Sequence, residues 1–286
     1  MGLTGCAVGV SLSVPPPQPL VSVDFAFFAS EAERLGFDSV WTGEHVTSPV
    51  ECSSDSPVFP GGQVPGFFDP FVCLARASAV TSRVRLGVAV ALVPEHHPVR
   101  LAKTVASLDV LSGGRVLLGV GVGWNREQRS IMGGSSDRPW AQTREAVLAM
   151  KAMWTDEVAE FHGSFYDIPP VRSLPHPTQR PHPPVLLGGI SSRVIERIAE
   201  WGDGCVSHRT TPDDLRERVA RLRTLAETAG RDPDGFDISI ALWNPSRELV
   251  ASYAAAGATR VVVHTRDLAE PADTTAALER IAADLL

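Results

Sequence analysis

The sequence lacks the motifs on which several large enzyme and metal-binding classes depend. Its four cysteines lie far apart and form no C-x-x-C pair, so neither a disulfide framework nor a zinc site is expected. The chain contains no HExxH, no P-loop and no G-x-S-x-G elbow. His96 and His97 are adjacent at the end of a predicted strand, where neighbouring side chains point to opposite sides. No metal site is therefore predicted.

Lysine is almost absent, and positive charge is in deficit overall. Only two of the 26 basic residues are lysines, and the net charge is -7. Non-specific nucleic-acid binding needs clustered basic residues, so this balance argues against it. No apolar run reaches the ~18 residues of a membrane span. Residues 1–12 lack the positive region of a signal peptide. We therefore expect no membrane attachment and a cytoplasmic location.

The chain is long enough and apolar enough for one large core. Its 286 residues are 44% hydrophobic and show no break in composition. A single domain spanning residues 1–286 is therefore expected. Barrels of the (β/α)8 type run to about 250 residues and more as one unit, which makes that architecture available to this chain.

Short apolar runs alternate with longer amphipathic stretches along the whole sequence. In residues 24–36, for example, apolar side chains recur at helical spacing between a capping Asp24 and a terminating Gly36. Continuous apolar runs suit parallel strands that are covered by helices. Eight such units in strict alternation predict an α/β protein that is a closed (β/α)8 (TIM) barrel rather than an open sheet. The predicted strands are residues 6–12, 39–41, 84–92, 116–123, 185–189, 204–207, 236–242 and 260–264. The predicted helices are residues 24–36, 69–80, 98–111, 138–154, 192–201, 211–229, 246–256 and 272–286.

Two long segments interrupt this alternation and are predicted to be insertions. Residues 43–68 follow strand 2 and belong to the active-site rim, because they form a loop after a barrel strand. Their several prolines and glycines suit a lid or a substrate wall. Residues 157–183 follow helix 4, are rich in proline, and are predicted to wrap irregularly around the outer surface.

Polar residues at strand ends are the first candidates for chemistry, because barrel active sites lie there. Strand 2 is followed by Glu44 and His45. A histidine at this position can hydrogen-bond a ring or transfer a proton near neutral pH, and Glu44 can orient it or cap the loop. The alternative is a solvated loop histidine. Strand 6 ends at His208 and Arg209, which either bind an acidic group or are exposed loop residues.

Glycines mark two further strand ends. Gly121 and Gly123 alternate at the end of strand 4, where they let a ligand approach the backbone or relieve a crowded barrel interior. Asn125 follows them and is the candidate for contacting a polar ring edge. Residues 188–192, Gly-Gly-Ile-Ser-Ser, open a helix after strand 5. They can bind a phosphate at the helix N-terminus or serve only to cap it.

Three stretches resemble a known family. LGFDSVWTGEHV at 35–46, residues 69–128 and VLLGGISSRVIERIAEWGDG at 185–204 are similar to the luciferase-like monooxygenases. The resemblance extends to about residue 230. Within that superfamily the chain resembles most the group that uses coenzyme F420, a deazaflavin, in place of FMN. It departs from the pattern at Cys205, where many relatives carry Trp, and in residues 240–253, which look shortened.

The resemblance implies roles for individual residues. His45 matches a position that faces the deazaflavin ring, as a proton donor or a stacking group. Ala89 and Val90 match a bulge in strand 3 that holds a non-prolyl cis peptide bond and supports the back of the ring. Asn125 matches a ring-contacting asparagine. The phosphate and ribityl region of the cofactor is implied at Gly188, Gly189 and Ile190.

Three functions follow from these expectations. The first is an F420-dependent oxidoreductase that transfers a hydride between the deazaflavin and a small organic substrate. The second is an FMN-dependent two-component monooxygenase that receives reduced flavin from a partner reductase. The third is a barrel that binds a flavin or deazaflavin without catalysis. The resemblance also implies a homodimer formed through helices early in the chain.

Overall fold

The computed structural model describes residues 5–12, 24–51, 66–189, 191–208, 210–265 and 271–286. Within these ranges, eight parallel strands form a closed barrel. The barrel strands are β1 (Ala7–Leu12), β2 (Ser39–Thr42), β3 (Arg85–Leu92), β4 (Val116–Gly121), β7 (Val185–Gly188), β8 (Gly204–Ser207), β9 (Asp237–Trp243) and β10 (Arg260–Thr265). They are hydrogen-bonded in the order β1-β10-β9-β8-β7-β4-β3-β2, which closes on β1. The (β/α)8 barrel predicted from the sequence is confirmed.

Helices connect the strands and pack around the barrel. They are α1 (Phe25–Leu35), α2 (Pro70–Val80), α3 (Pro98–Ser112), α4 (Arg126–Ile131), α5 (Pro139–Thr155), α6 (Ser192–Trp201), α7 (Pro212–Thr228), α8 (Arg247–Ala255) and α9 (Pro271–Leu285). The predicted ends of α1 are confirmed, since Asp24 accepts a hydrogen bond from the Ala26 N–H and Gly36 has a φ of 93°. Among the described residues, no helix is long and apolar enough to cross a membrane.

The segment after the fourth barrel unit is more regular than predicted. Within residues 157–183, β5 (Ala159–His162) and β6 (Asp167–Val171) form an antiparallel hairpin. The Glu145 carboxylate accepts hydrogen bonds from the Ser164 and Phe165 N–H groups at 3.0 and 2.8 Å. The expectation of an irregular wrap was therefore wrong for these residues, because a carboxylate on α5 anchors their turn.

The two histidines predicted to end β3 lie beyond it. A 3-10 turn, Val93–Glu95, separates β3 from them, and His97 is the N-cap residue of α3. The strand stops because the Leu92 N–H donates to the Glu44 carboxylate and Pro94 has no N–H to continue the ladder. His96 and His97 therefore do not alternate across a strand.

One tryptophan fills the lower lumen, where the lower end is the one at which the strands begin. Trp41 is completely buried and donates its Nε1–H to Ser39 Oγ at 2.9 Å. A Cβ on Gly87 would lie 2.2 Å from the indole ring, so only glycine leaves room for it. The other buried residues of this inner cluster are Leu117, Leu186, Val206, Ala241 and Val262. The lower lumen is thus packed solid.

A buried arginine closes the barrel beneath this layer. Arg260 donates from Nε to Asp38 and from Nη1 to Asp237, both at 2.6 Å. Its guanidinium lies 6.0 Å from the centre of the Trp41 ring. These groups close the lower end of the barrel within the described residues, so the upper end, where the strands finish, is the side from which a ligand would enter.

We predict that Gly87→Ala destabilises the barrel by about 1–3 kcal/mol, because the added methyl group collides with a fully buried ring that has no space to move. The measurement is the free energy of unfolding by denaturant. Gly66→Ala is the matched control, since nothing lies within 4 Å of its added Cβ. Equal stability of the two variants would contradict the tight packing around Trp41.

Candidate functional site

The upper end of the barrel holds three groups of side chains around an open lumen. One group follows β2 and includes His45. The second is formed by the middle of β3 and the glycines of β4 and β7. The third is an aromatic stack at the ends of β8, β9 and β10. The sequence brings them together because parallel strands in a closed barrel all end on the same side.

His45 is three residues beyond β2 and lies among aromatic rings. Its ring centre is 5.1 Å from that of Phe67 and 5.9 Å from that of Trp124. Its Nδ1 atom is 3.2 Å from Gln128 Oε1. Burial lowers the pKa of His45, while the hydrogen bond to Gln128 and the charge of Glu44 oppose that shift. The net direction is downward, which favours the neutral ring near pH 7.

Glu44 is directed toward the other side of its loop. Its carboxylate accepts from the Leu92 N–H at 2.6 Å and lies 2.9 and 3.1 Å from His96 Nε2. Burial lowers the pKa of His96, but the adjacent Glu44 more than offsets this, so the net shift is upward. Glu44 therefore holds the end of β3 against the loop after β2, and it acts on His45 through its charge.

Gln128 connects His45 to a buried carboxylate, and Asn125 holds the backbone of Gln128 in place. Asn125 caps α4 by accepting from the Gln128 N–H at 2.8 Å. The Gln128 side chain donates from Nε2 to Glu95 Oε2 at 2.8 Å. The other oxygen of Glu95, Oε1, is buried and has no hydrogen-bond partner among the described residues. Burial raises the pKa of Glu95, and the hydrogen bond from Gln128 works against that shift.

The middle of β3 is exposed to the lumen, although its flanks are buried. The Ala89–Val90 peptide bond is cis, and the pairing of β3 with β4 gains one extra residue there, so the predicted bulge and cis bond are confirmed. Ala89 and Val90 are half-buried, whereas Val88 and Ala91 are fully buried. Ala89 and Val90 are therefore partly accessible apolar residues within an otherwise buried strand.

Glycines on the neighbouring strands make room for Val90. A Cβ on Gly121 would lie 2.5 Å from Val90 Cγ2, and one on Gly188 would lie 3.2 Å from Val90 Cγ1. The crowding predicted at Gly121 is therefore present, and the approach of a ligand to these glycines stays a prediction. Gly123 and Gly189 have φ values of 69° and 89°, which favour glycine.

Three aromatic side chains stack at the ends of β8, β9 and β10. The His208 and His264 rings are parallel to within 8° with centres 5.0 Å apart, and His208 Nδ1 lies 3.2 Å from His264 Nε2. The Trp243 ring stacks on His264 at 4.4 Å. The stack lies across the barrel from β3, and His208 is an exposed residue just after β8 whose ring has a defined partner in His264.

The start of α6 has the cap that the sequence predicted. Ser191 Oγ accepts from the Val194 N–H at 3.4 Å. Gly188 ends β7 just before it. The predicted contacts of Ile190 and Arg209 lie outside the described residues, as does the greater part of the loop 43–68.

Cys205, which stands where many relatives carry Trp, does not face the lumen. Cys205 belongs to the core between the barrel and its helices, while the next residue, Val206, faces inward. Burial raises the pKa of the Cys205 thiol to about 12, so the group is an inert packing residue.

Sequence reasoning missed four residues that the structure brings to this end. Gln128 and Glu95 join the His45 group, and Trp243 and His264 complete the stack. His264 was detectable, because it lies near the end of a predicted strand like His208. Gln128 carried no such signal, since it lies in a helix of six residues that is too short to show a periodic pattern.

The chain is similar to a known protein family and to individual proteins of that fold. The family model described as luciferase-like monooxygenase matches residues 21–280. A protein of Mycobacterium tuberculosis that is described as uncharacterized is 39% identical over 263 residues, which cover 89% of this chain and 91% of that protein.

Two solved structures share the fold. The coenzyme F420 dependent tetrahydromethanopterin reductase from Methanopyrus kandleri has a TM-score of 0.74 at 16% identity and covers 98% of both chains. The oxygenating constituent of 3,6-diketocamphane monooxygenase from Pseudomonas putida, solved with FMN, also has a TM-score of 0.74, at 17% identity. It covers 98% of this chain and 97% of that one. At these identities the likeness shows the fold alone.

We predict a pH-dependent effect of Glu44→Gln on stability. The raised pKa of His96 means that its stabilising contribution is fully present below the unfolded value of about 6.5 and is lost as the pH rises through the higher folded value. The loss of unfolding free energy caused by Glu44→Gln should therefore be largest below about pH 6.5 and smaller above it. The measurement is denaturant unfolding at a series of pH values.

Asp167→Asn is the matched control for this series. Asp167 pairs with His162, but both side chains are exposed, so solvent screens the pair. Its effect on stability should be small at every pH. A Glu44→Gln effect that does not vary with pH would contradict the buried pairing of Glu44 and His96.

Proposed function

Because the chain belongs to the luciferase-like monooxygenase family, we propose that it is an oxidoreductase that uses coenzyme F420 and transfers a hydride to or from a small organic substrate. The observation that carries the proposal is the half-buried Ala89–Val90 pair at the floor of an open lumen, opposite an aromatic stack and beside His45. A flat ring fits between an apolar floor and walls of this kind.

The residues of the site suit such a cofactor. Ala89 and Val90 would support the ring, while Gly121 and Gly188 carry no Cβ that would displace Val90 from beneath it. When bound, the deazaflavin would supply a carbon that accepts or releases a hydride. Asn125 stays a predicted ring contact, although its Oδ1 atom also caps α4.

His45 would exchange a proton with the substrate. Its lowered pKa keeps the ring neutral near pH 7, the state in which a histidine accepts a proton. The rings of Phe67 and Trp124 beside it exclude water from that face. Glu44 would serve as a positioning residue, since it contacts β3 and His96.

The phosphate and acidic tail of the cofactor would lie toward α6. Gly188, Gly189 and Ile190 precede that helix, whose first N–H groups favour an anion. Arg193 is exposed in the first turn and is the charged residue that suits this role. Arg247, by contrast, donates to the carbonyls of Ala283 and Asp284 at the end of α9. His208 and Arg209 stay predicted contacts on the same side.

An FMN-dependent monooxygenase is the second candidate, because a barrel of the same fold binds FMN in the Pseudomonas putida protein. That function would require a partner reductase to supply reduced flavin. The neutral His45 favours F420 chemistry, in which a proton moves together with a hydride.

We expect the purified protein to bind F420 with micromolar or tighter affinity and FMN much more weakly, measured by fluorescence titration. Ala89→Leu should weaken F420 binding at least tenfold, because the larger side chain occupies the lumen floor. Ala251→Leu is the matched control, since Ala251 is exposed on α8.

The titrations separate the candidates. Binding of FMN alone would support the two-component monooxygenase and overturn the F420 assignment. Binding of a cofactor without turnover of any substrate in a broad screen would favour a non-catalytic barrel. Binding of neither cofactor would overturn both enzymatic proposals.

We also propose that the protein forms a homodimer through α2 and α3. Val72 and Val80 on α2 and Leu111 on α3 are all more than half exposed, so these two adjacent helices offer apolar side chains that a second copy could cover. Val72→Asp should convert a dimer into a monomer in sedimentation equilibrium, whereas Leu249→Asp on α8 should not. A wild-type monomer at micromolar concentration would contradict the proposal.

A further inference from the structure

We propose that Gln128, anchored by Glu95, is a positioning residue that holds His45 in the tautomer with its proton on Nδ1, so that Nε2 is the atom that accepts a proton. The inference rests on a continuous series of contacts from His45 Nδ1 to Gln128 Oε1 at 3.2 Å and from Gln128 Nε2 to Glu95 Oε2 at 2.8 Å. It deepens the proposed function, on which its catalytic meaning depends.

The direction of each hydrogen bond follows from the chemistry of its partners. An ionised carboxylate can only accept, so Glu95 selects the NH2 end of the Gln128 amide. The amide oxygen must then face His45. An oxygen can only accept, so His45 Nδ1 must carry the proton. In a neutral imidazole the other nitrogen, Nε2, then holds the lone pair.

Gln128 is held firmly enough to select an orientation. It is completely buried, and Asn125 Oδ1 fixes its backbone N–H at the start of α4. Turning the amide over would place its oxygen against the Glu95 carboxylate and its NH2 group against His45. Two acceptors in contact inside a protein are strongly unfavourable, so the observed orientation is favoured.

The charged groups around Glu95 act in both directions on its ionisation. Burial and the charge of Glu44 raise the pKa of Glu95, whereas the hydrogen bond from Gln128 and the charges of His96 and Arg129 lower it. Arg129 comes from α4 and donates to the carbonyls of Val122 and Gly123, next to Glu95. The net direction of the Glu95 pKa is upward, so the ionised form that anchors Gln128 is favoured by a rise in pH, and the test is made at mildly alkaline pH.

The tautomer decides which substrates His45 can serve. With the lone pair at Nε2, the ring takes a proton from an O–H or N–H group and returns it in the reverse direction. A tautomer with the proton on Nε2 could only donate a hydrogen bond to a substrate oxygen. Gln128 and Glu95 thus leave His45 Nε2 free of a proton, so that the ring can accept one. Without them, His45 could only donate a hydrogen bond to the substrate.

The experiment is nitrogen NMR of the protein labelled with 15N-histidine, recorded without cofactor at mildly alkaline pH. Correlations through two bonds, between each ring nitrogen and the hydrogens on the neighbouring ring carbons, identify which nitrogen carries the proton. The signals that disappear in His45→Asn are those of His45. In the wild type we expect Nδ1 at a pyrrole-like shift and Nε2 at a pyridine-like shift.

Two variants and one control complete the test. Gln128→Leu should shift the His45 signals toward the Nε2–H tautomer, and Glu95→Gln should give a mixture, because the new amide can either donate or accept. Gln142→Leu is the matched control and should leave the signals unchanged. Gln142 is also a buried glutamine, but it bonds Ser135 and Tyr166.

Each outcome decides the inference. An Nε2–H tautomer in the wild type would overturn it even if no variant folded, and an unchanged pattern in Gln128→Leu would do the same. An unchanged pattern in Glu95→Gln would remove Glu95 as the anchor. Because these spectra are recorded without cofactor, failure here is distinguishable from failure of the F420 titration.

Discussion

The structure depends on how one indole ring fills the lower lumen. Trp41 occupies the space inside the ring of strands, and Gly87 and Gly9 leave room for it. A closed barrel of eight strands has an interior that side chains can just fill. A large residue at this level therefore leaves no open space inside the strands. Because Trp41 fills the lower level and the strands all end on the other side, the candidate functional groups lie at the upper end.

Buried charges at the two ends of the barrel are arranged differently. At the lower end, Arg260 has carboxylates on both sides, so the cost of burying its charge is offset by close pairing. At the upper end, one carboxylate oxygen of Glu95 accepts a hydrogen bond from Gln128 Nε2, and the pKa of Glu95 is raised. Arg115, next to the start of β4, is buried as well and is held by the oxygens of Ser112, Thr81 and Val84. Arg260 therefore has a structural role, and the raised pKa of Glu95 marks it as a candidate functional group.

The candidate site was partly predictable. His45 and His208 followed from the rule that barrel chemistry lies at strand ends, and the cis bond at Ala89–Val90 followed from resemblance. Gln128 and Glu95 did not, because their contacts join residues 83 and 33 positions apart in the chain. Glu44 was expected beside His45, but its carboxylate reaches His96 instead, since the chain turns between the two residues.

The sequence by itself determined the alternation of strands and helices, the cap of α1 and the number of barrel strands, because these depend on local periodicity and on short-range hydrogen bonds. Tertiary structure alone decided which polar groups meet at the open end. The position of a side chain at a strand end determines that it lies at the upper end of the barrel. Which other side chain it contacts there depends on closure of the barrel, which brings β3 and the loops after β2 and β4 together. The protonated nitrogen of His45 is therefore a property of the folded barrel and of no segment of its sequence.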